Sequence, residues 1–147
     1  MTPKPRREVT FLSAAKADIG HLHDDDPDIA KLALRKVKEL EAGAVTGVPL
    51  EEMAKTGDLG DCHKLYFGPG RPPSHRIVYR VVDGDPSHLE VLEVIAVESR
   101  AELYAYLLAS SRLGRLPVES KKHFNRLHQD VIERRATRKA KKPRPRS

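Results

Sequence analysis

Residues 74–82 read "SHRIVYRVV". Ile77, Val78, Val81 and Val82 give this stretch the β-branched density of a strand buried on one or both faces. Arg76 and Arg80 interrupt it, and they share a face because strand side chains alternate with period two. An unpaired guanidinium is costly to bury. The strand therefore needs an anion, either a carboxylate of this chain or a phosphate brought by a ligand. Glu90 and Glu93, on the strand expected next, are the candidate carboxylates for Arg76, and a cross-strand pair is the plainer reading.

The neighbouring segments place this strand in a sheet. "CHKLYF" (62–67) precedes it and "HLEVLEVIAV" (88–97) follows it. The connections "GPGRPPS" and "DGDPS" are turn chemistry, so the three strands are expected to form an antiparallel meander. Upstream, "REVTFL" (7–12) reads as a short strand. Ser13 is placed to cap a helix running to about Leu22. A second helix is capped by Asp26, takes Pro27 at its first position and stops at Gly43. Ala30, Ala33, Leu34, Val37 and Leu40 give it one apolar stripe. Asp24, Asp25, Asp26 and Asp28 cluster at its N-terminus, where the helix dipole favours them. Residues 44–61 read as a loop with a brief helical turn at "PLEEMAK" (49–55). "RAELYAYLLASSR" (100–112) is a closing helix. The expected order is βααβββα, an α+β arrangement with a small, antiparallel-rich sheet and a helical hairpin on one side.

Charge divides the chain in two. Residues 113–147 carry 12 Lys and Arg against 3 Asp and Glu, a net +9, and residues 1–112 carry −3. The expected organisation is a body over 1–112 and a basic extension over 113–147. The extension reads as a helix over about 118–135 followed by a disordered basic tail. Phe124, Leu127 and Val131 form its thin apolar stripe, for docking on the body or on a partner.

Several function classes are excluded or disfavoured. Cys62 is the only cysteine, so neither an intramolecular disulfide nor a multi-cysteine zinc site can form, which suits a reducing cytoplasm. It reads as a small buried residue. "HLHDDD" (21–26) is a poor metal site, because helical residues two apart do not face each other. The opening "MTPKPRREV" lacks the apolar core of a signal peptide, and "VIAV" is far too short to span a bilayer. With no Trp and 5% aromatic residues, a broad base-stacking platform is hard to build.

Four pieces in order resemble the RelE/ParE family of bacterial toxins. They are "FLSAAKADIGHL", "PLEEMAKTGDLGDCHKL", "HRIVYRV" and "VLEVIAVESRAELY", and together they cover roughly residues 8–112. The resemblance implies the toxin of a type II toxin–antitoxin pair. In its RelE-like branch it implies an endonuclease that cuts mRNA in the ribosome, needing no metal or other cofactor. There the ribose 2′-hydroxyl attacks the adjacent phosphorus and leaves a 2′,3′-cyclic phosphate. Implied partners are a cognate antitoxin, the ribosome and mRNA, with a monomeric toxin inside a hetero-oligomeric complex in the cytoplasm and no membrane.

By the same resemblance Lys64, Arg76, Arg100 and Tyr104 are the candidate catalytic residues. Arg76 matches the arginine that opens the family's third strand, Arg100 the one that ends the fourth, and Lys64 the first of two strand lysines. Tyr66 stands where the family often has the second. Tyr104 is favoured over Tyr106 for the catalytic tyrosine, and His63 and His75 are alternative proton carriers. Tyr66, Arg71 and Arg80 complete the candidate RNA-contacting set, with a structural ion pair as the plainer role for Arg80. Two alternatives share the fold: a ParE-like gyrase poison that cuts nothing, and an inactive antitoxin-binding relic. The basic tail is expected to contact ribosomal RNA.

Overall fold

The computed structural model describes residues 6–50, 56–85, 89–99 and 101–141. The chain runs β1 (Arg6–Phe11), α1 (Ser13–Asp25), α2 (Pro27–Glu41), β2 (Val48–Pro49), β3 (Cys62–Phe67), β4 (His75–Asp85), β5 (Leu89–Ser99), α3 (Tyr104–Arg112) and α4 (Val118–Lys141). One sheet of order β1-β5-β4-β3-β2 organises it. β3, β4 and β5 form the expected antiparallel meander, and β1 adds in parallel beside β5. The fold is α+β.

β4 and β5 are the central strands and are apolar on both faces, as a doubly covered strand must be. One face carries Leu65, Phe67, Ile77, Tyr79, Leu92, Val94 and Val97 under the α1–α2 hairpin. The other carries Cys62, Val78, Ile95 and Ala96 under α3 and α4. The sheet thus separates two cores. Phe124 and Leu127 of α4 are buried in the second of them, so the apolar stripe of the basic extension docks on the body. Among the described residues, no helix is long and apolar enough to cross a membrane.

Local chemistry explains most element ends. The Asp26 side chain accepts from the Asp28 N–H at 3.1 Å, and Pro27 opens α2. Four members of the α2 stripe are buried, but Leu34 is 47% exposed. It lies about 90° round the helix from the middle of that stripe. Ser13 is the first residue of α1 and not its cap. Leu12 holds the cap position in an extended conformation, because its N–H still bonds the Val94 carbonyl at 3.0 Å. The helical turn expected at 49–55 fails at its start, where Pro49 lies in β2 opposite His63. Pro suits an edge strand, which can spare a donor; residues 51–55 lie outside the described set. The chain passes from β5 to α3 through a 3-10 turn at Ala101–Leu103, in which Leu103 adopts φ +66°. α4 continues to Lys141, past the expected end near 135. No proline intervenes before Pro143, and Arg135 and Arg138, one turn apart, both reach the Asp25 carboxylate.

Candidate functional site

The register of β3 against β4 decides which arginine neighbours meet. Lys64 lies opposite Val78 and Tyr66 opposite Arg76, so Lys64, Tyr66, Val78 and Arg76 share the face covered by α3. Their odd–even neighbours His63, Leu65, Ile77 and Tyr79 point to the hairpin face. α3 then supplies Tyr106 above this end of the sheet.

Arg76 is 5% exposed and is held from several directions. Its Nε donates to Tyr106 Oη at 3.0 Å, and its Nη1 donates to the carbonyls of Pro73 at 2.6 Å and His75 at 2.9 Å. The guanidinium lies 4.1 Å from the Tyr66 ring centroid. Among the described residues, no carboxylate ion-pairs with it and Nη2 has no hydrogen-bond partner. Lys64 Nζ lies 5.4 Å from the Tyr66 ring and 5.7 Å from the Tyr106 ring. It too has no ion pair or hydrogen bond among the described residues. Neutral oxygens and π faces stabilise these cations without cancelling their charge. The result is a small, fixed cluster of positive charge in which Arg76 is buried and the half-exposed Tyr66 ring stands at the edge.

Tyr104 and Tyr106 diverge by about 200° on a helix, and the structure places them in different surroundings. Tyr104 turns to α4. Its hydroxyl meets His128 Nδ1 at 2.9 Å, its ring stacks with Phe124 at 6.3 Å, and it is 4% exposed. Burial, reinforced by the Glu98 charge, pushes its phenol up to about 12. Tyr106, and not the favoured Tyr104, is the tyrosine brought to Lys64 and Arg76. Tyr106→Phe is therefore expected to lower any activity of this site by about a hundredfold or more, the usual scale for a positioned proton donor near a reacting group. Tyr104→Phe is expected to leave it within a factor of about two and to lower stability by about 1 kcal/mol. Parallel rate and thermal-unfolding measurements on the two variants check the assignment, and equal losses of activity would contradict it.

The remaining candidates divide. His63 stacks on Tyr79 at 5.2 Å, and His75 bonds Ser74 Oγ at 2.7 Å with its ring against Phe67 at 5.3 Å. Both sit on the hairpin face, away from Lys64, and burial holds the His75 imidazole below its ordinary range. Arg80 lies four residues, about 13 Å, along β4 from Arg76. Its Nε and Nη2 both donate to Glu93 Oε1, at 3.2 and 3.1 Å. Glu93 is thus the partner of Arg80 and not of Arg76, while Glu90 lies 3.8 Å from Arg7. Arg71 is exposed in the β3–β4 turn, and Arg100 lies outside the described residues. Cys62 is fully buried, which raises its thiol to about 12.

Two polar features escaped the sequence reading. Glu98, not Glu93, is the register partner of Arg76. Asp18 and Arg112 form a buried bidentate pair at 2.6 and 2.8 Å.

No family model matches the chain, and no curated protein matches it. Among solved structures it is similar to a YoeB/ParE toxin from Agrobacterium tumefaciens, at 18% sequence identity and a TM-score of 0.46, over 63% of this chain and 98% of that one.

Proposed function

We propose that this chain is the toxin of a type II toxin–antitoxin pair, acting in the cytoplasm as a ribosome-dependent mRNA endonuclease that needs no metal. The observation that carries the reading is the convergence of Lys64 Nζ, the Arg76 guanidinium and the Tyr106 hydroxyl on one face, with no described carboxylate neutralising them. The motif resemblance across residues 8–112 supports the same assignment.

Cleavage forms a bond from the ribose 2′-oxygen to phosphorus and breaks the bond from phosphorus to the 5′-oxygen. Negative charge builds on the phosphoryl oxygens in between. Arg76 Nη2 and Lys64 Nζ are the donors for that charge, and a guanidinium already fixed by its other nitrogens reorganises little. Tyr106 accepts from Arg76 through its oxygen, so its own hydrogen is free to point outward to the departing 5′-oxygen. Tyr106 is thus the acid, giving its proton to the departing 5′-oxygen, while the 2′-hydroxyl proton passes to solvent water and Lys64 stays charged. Tyr66, 39% exposed, offers its ring to a splayed base.

The test is induction of the protein in bacteria followed by mapping of mRNA 5′ ends. New ends inside translated codons are expected. Growth arrest with DNA-damage signalling and intact mRNA would replace this reading with the gyrase-directed one. No arrest would identify a relic that binds an antitoxin without acting.

A further inference from the structure

Arg76 and Glu98 face each other across β4 and β5. Both are buried, at 5% and 4% exposure. Directly opposed residues of antiparallel strands place their Cβ atoms about 5 Å apart, well within the reach of an arginine and a glutamate. An Arg–Glu ion pair is the default outcome of such a placement, and the structure does not form it. Arg76 is turned to Tyr66, Tyr106 and two carbonyls. Glu98 Oε1 instead accepts from Arg135 Nη2 at 2.7 Å.

Arg135 belongs to α4, 37 residues further along the chain. It reaches Glu98 because Phe124 and Leu127 seat the first half of α4 on α3. The second half is tied to the end of α1. Arg135 Nε lies 3.8 Å from Asp25 Oδ2, and Arg138 Nη1 lies 2.5 Å from Asp25 Oδ1. Burial raises the Glu98 carboxyl and the Arg135 charge draws it back down.

We propose that Arg135 is a positioning residue that acts through Glu98: by holding that carboxylate, it keeps the Arg76 guanidinium uncompensated and open to an RNA phosphate. The proposal rests on the phosphate-binding reading of Arg76. It gives the basic extension a role in the site beyond nonspecific attraction, since one of its cations offsets an acid that would otherwise quench the site. In Arg135→Ala, Glu98 loses its partner, and Arg76 is the cation directly opposite it across the strand pair. A carboxylate beside a guanidinium favours its charged form, so the pair closes and the site loses its positive surface.

The experiment measures binding of a short single-stranded RNA to the full chain by fluorescence anisotropy, with thermal unfolding of each variant in parallel. Arg135→Ala is expected to weaken binding roughly tenfold, the scale of one charge-assisted hydrogen bond. Adding Glu98→Gln to Arg135→Ala is expected to restore binding to within about twofold, because an amide cannot neutralise Arg76. A role limited to clamping α4 predicts no such rescue, since the double variant lacks the clamp as well. Binding by Arg135→Ala equal to wild type, or a folded double variant that binds no better than Arg135→Ala, overturns the proposal. A wild-type chain that binds no RNA, or an Arg76→Ala variant that binds as well as wild type, overturns the phosphate-binding reading and this inference with it.

Discussion

Arg76→Ala is expected to abolish cleavage of translated mRNA, with a fall of at least about a hundredfold, the usual scale for removing a preorganised donor from a developing oxyanion. The fold should survive. Arg76 makes three hydrogen bonds, but two end on loop-side carbonyls of Pro73 and His75 near the strand's start. Losing net contributions of this kind costs about 1–2 kcal/mol, and removing a buried cation offsets part of that. The matched control is Arg80→Ala. It removes the same charge from the same strand face, but Arg80 is spent on Glu93 in a half-buried pair, with side chains 29% and 21% exposed. That change should alter cutting by less than about threefold, because such pairs carry little energy and no free charge. Mapping of 5′ ends after induction reads both variants. Comparable losses for Arg76→Ala and Arg80→Ala would mean that bulk positive charge drives RNA binding and that the cluster has no special part in it.

The contrast between these two arginines also marks how far the sequence alone can be read. Period-two alternation placed both on one face, and the structure keeps them there. Alternation says nothing about which residue lies opposite, because that depends on the hairpin register. "DGDPS" reads as turn chemistry from Asp83 onward, which pairs Arg76 near Glu93 or Glu90. The strands in fact continue to Asp85, and Asp85 pairs with Leu89. With the pairing carried that far, the partner of Arg76 becomes Glu98. Two irregularities, between Val78 and Tyr79 and between Val81 and Asp83, shift the register and then restore it, and neither has a local sequence signal. Burial of Ala30, Ala33, Val37 and Leu40 was legible because a helical stripe is a local pattern. Tyr106 facing the sheet was not, because the phase of α3 is set by the left-handed Leu103 at its start. β2 pairs only two residues, too few for any periodicity. The link from Arg135 to Glu98 spans chain segments that share no local pattern.

The largest effect on stability is expected from Asp18→Ala. β1 ends at Phe11 opposite Val94, and Leu12 adds one last bond to the Val94 carbonyl. Beyond that point no described strand lies on the β1 side of β5, although Ile95 and Val97 are fully buried. Two side chains stand in for the missing strand. Asp18 Oδ2 accepts from the Val97 N–H at 2.9 Å, and Arg112 Nη1 donates to the Ile95 carbonyl at 2.9 Å. The two are locked to each other by the bidentate pair, with Asp18 only 2% exposed. Alanine at 18 leaves the Arg112 guanidinium without its carboxylate and the Val97 N–H without an acceptor. Breaking one partner out of a buried pair costs about 3–5 kcal/mol, a large share of the roughly 5–15 kcal/mol that holds a typical domain together. At about 2–4 °C per kcal/mol for a chain of this size, the unfolding midpoint should fall by roughly 6–20 °C. Asp18→Asn keeps an oxygen for Val97 and should lose less than half of that. Function should follow stability here, since β5 carries Glu98 one residue beyond Val97, and Arg112 anchors the helix that presents Tyr106. A fall of less than about 3 °C for Asp18→Ala would show that water replaces the carboxylate without cost, and that the end of β5 is held by packing alone.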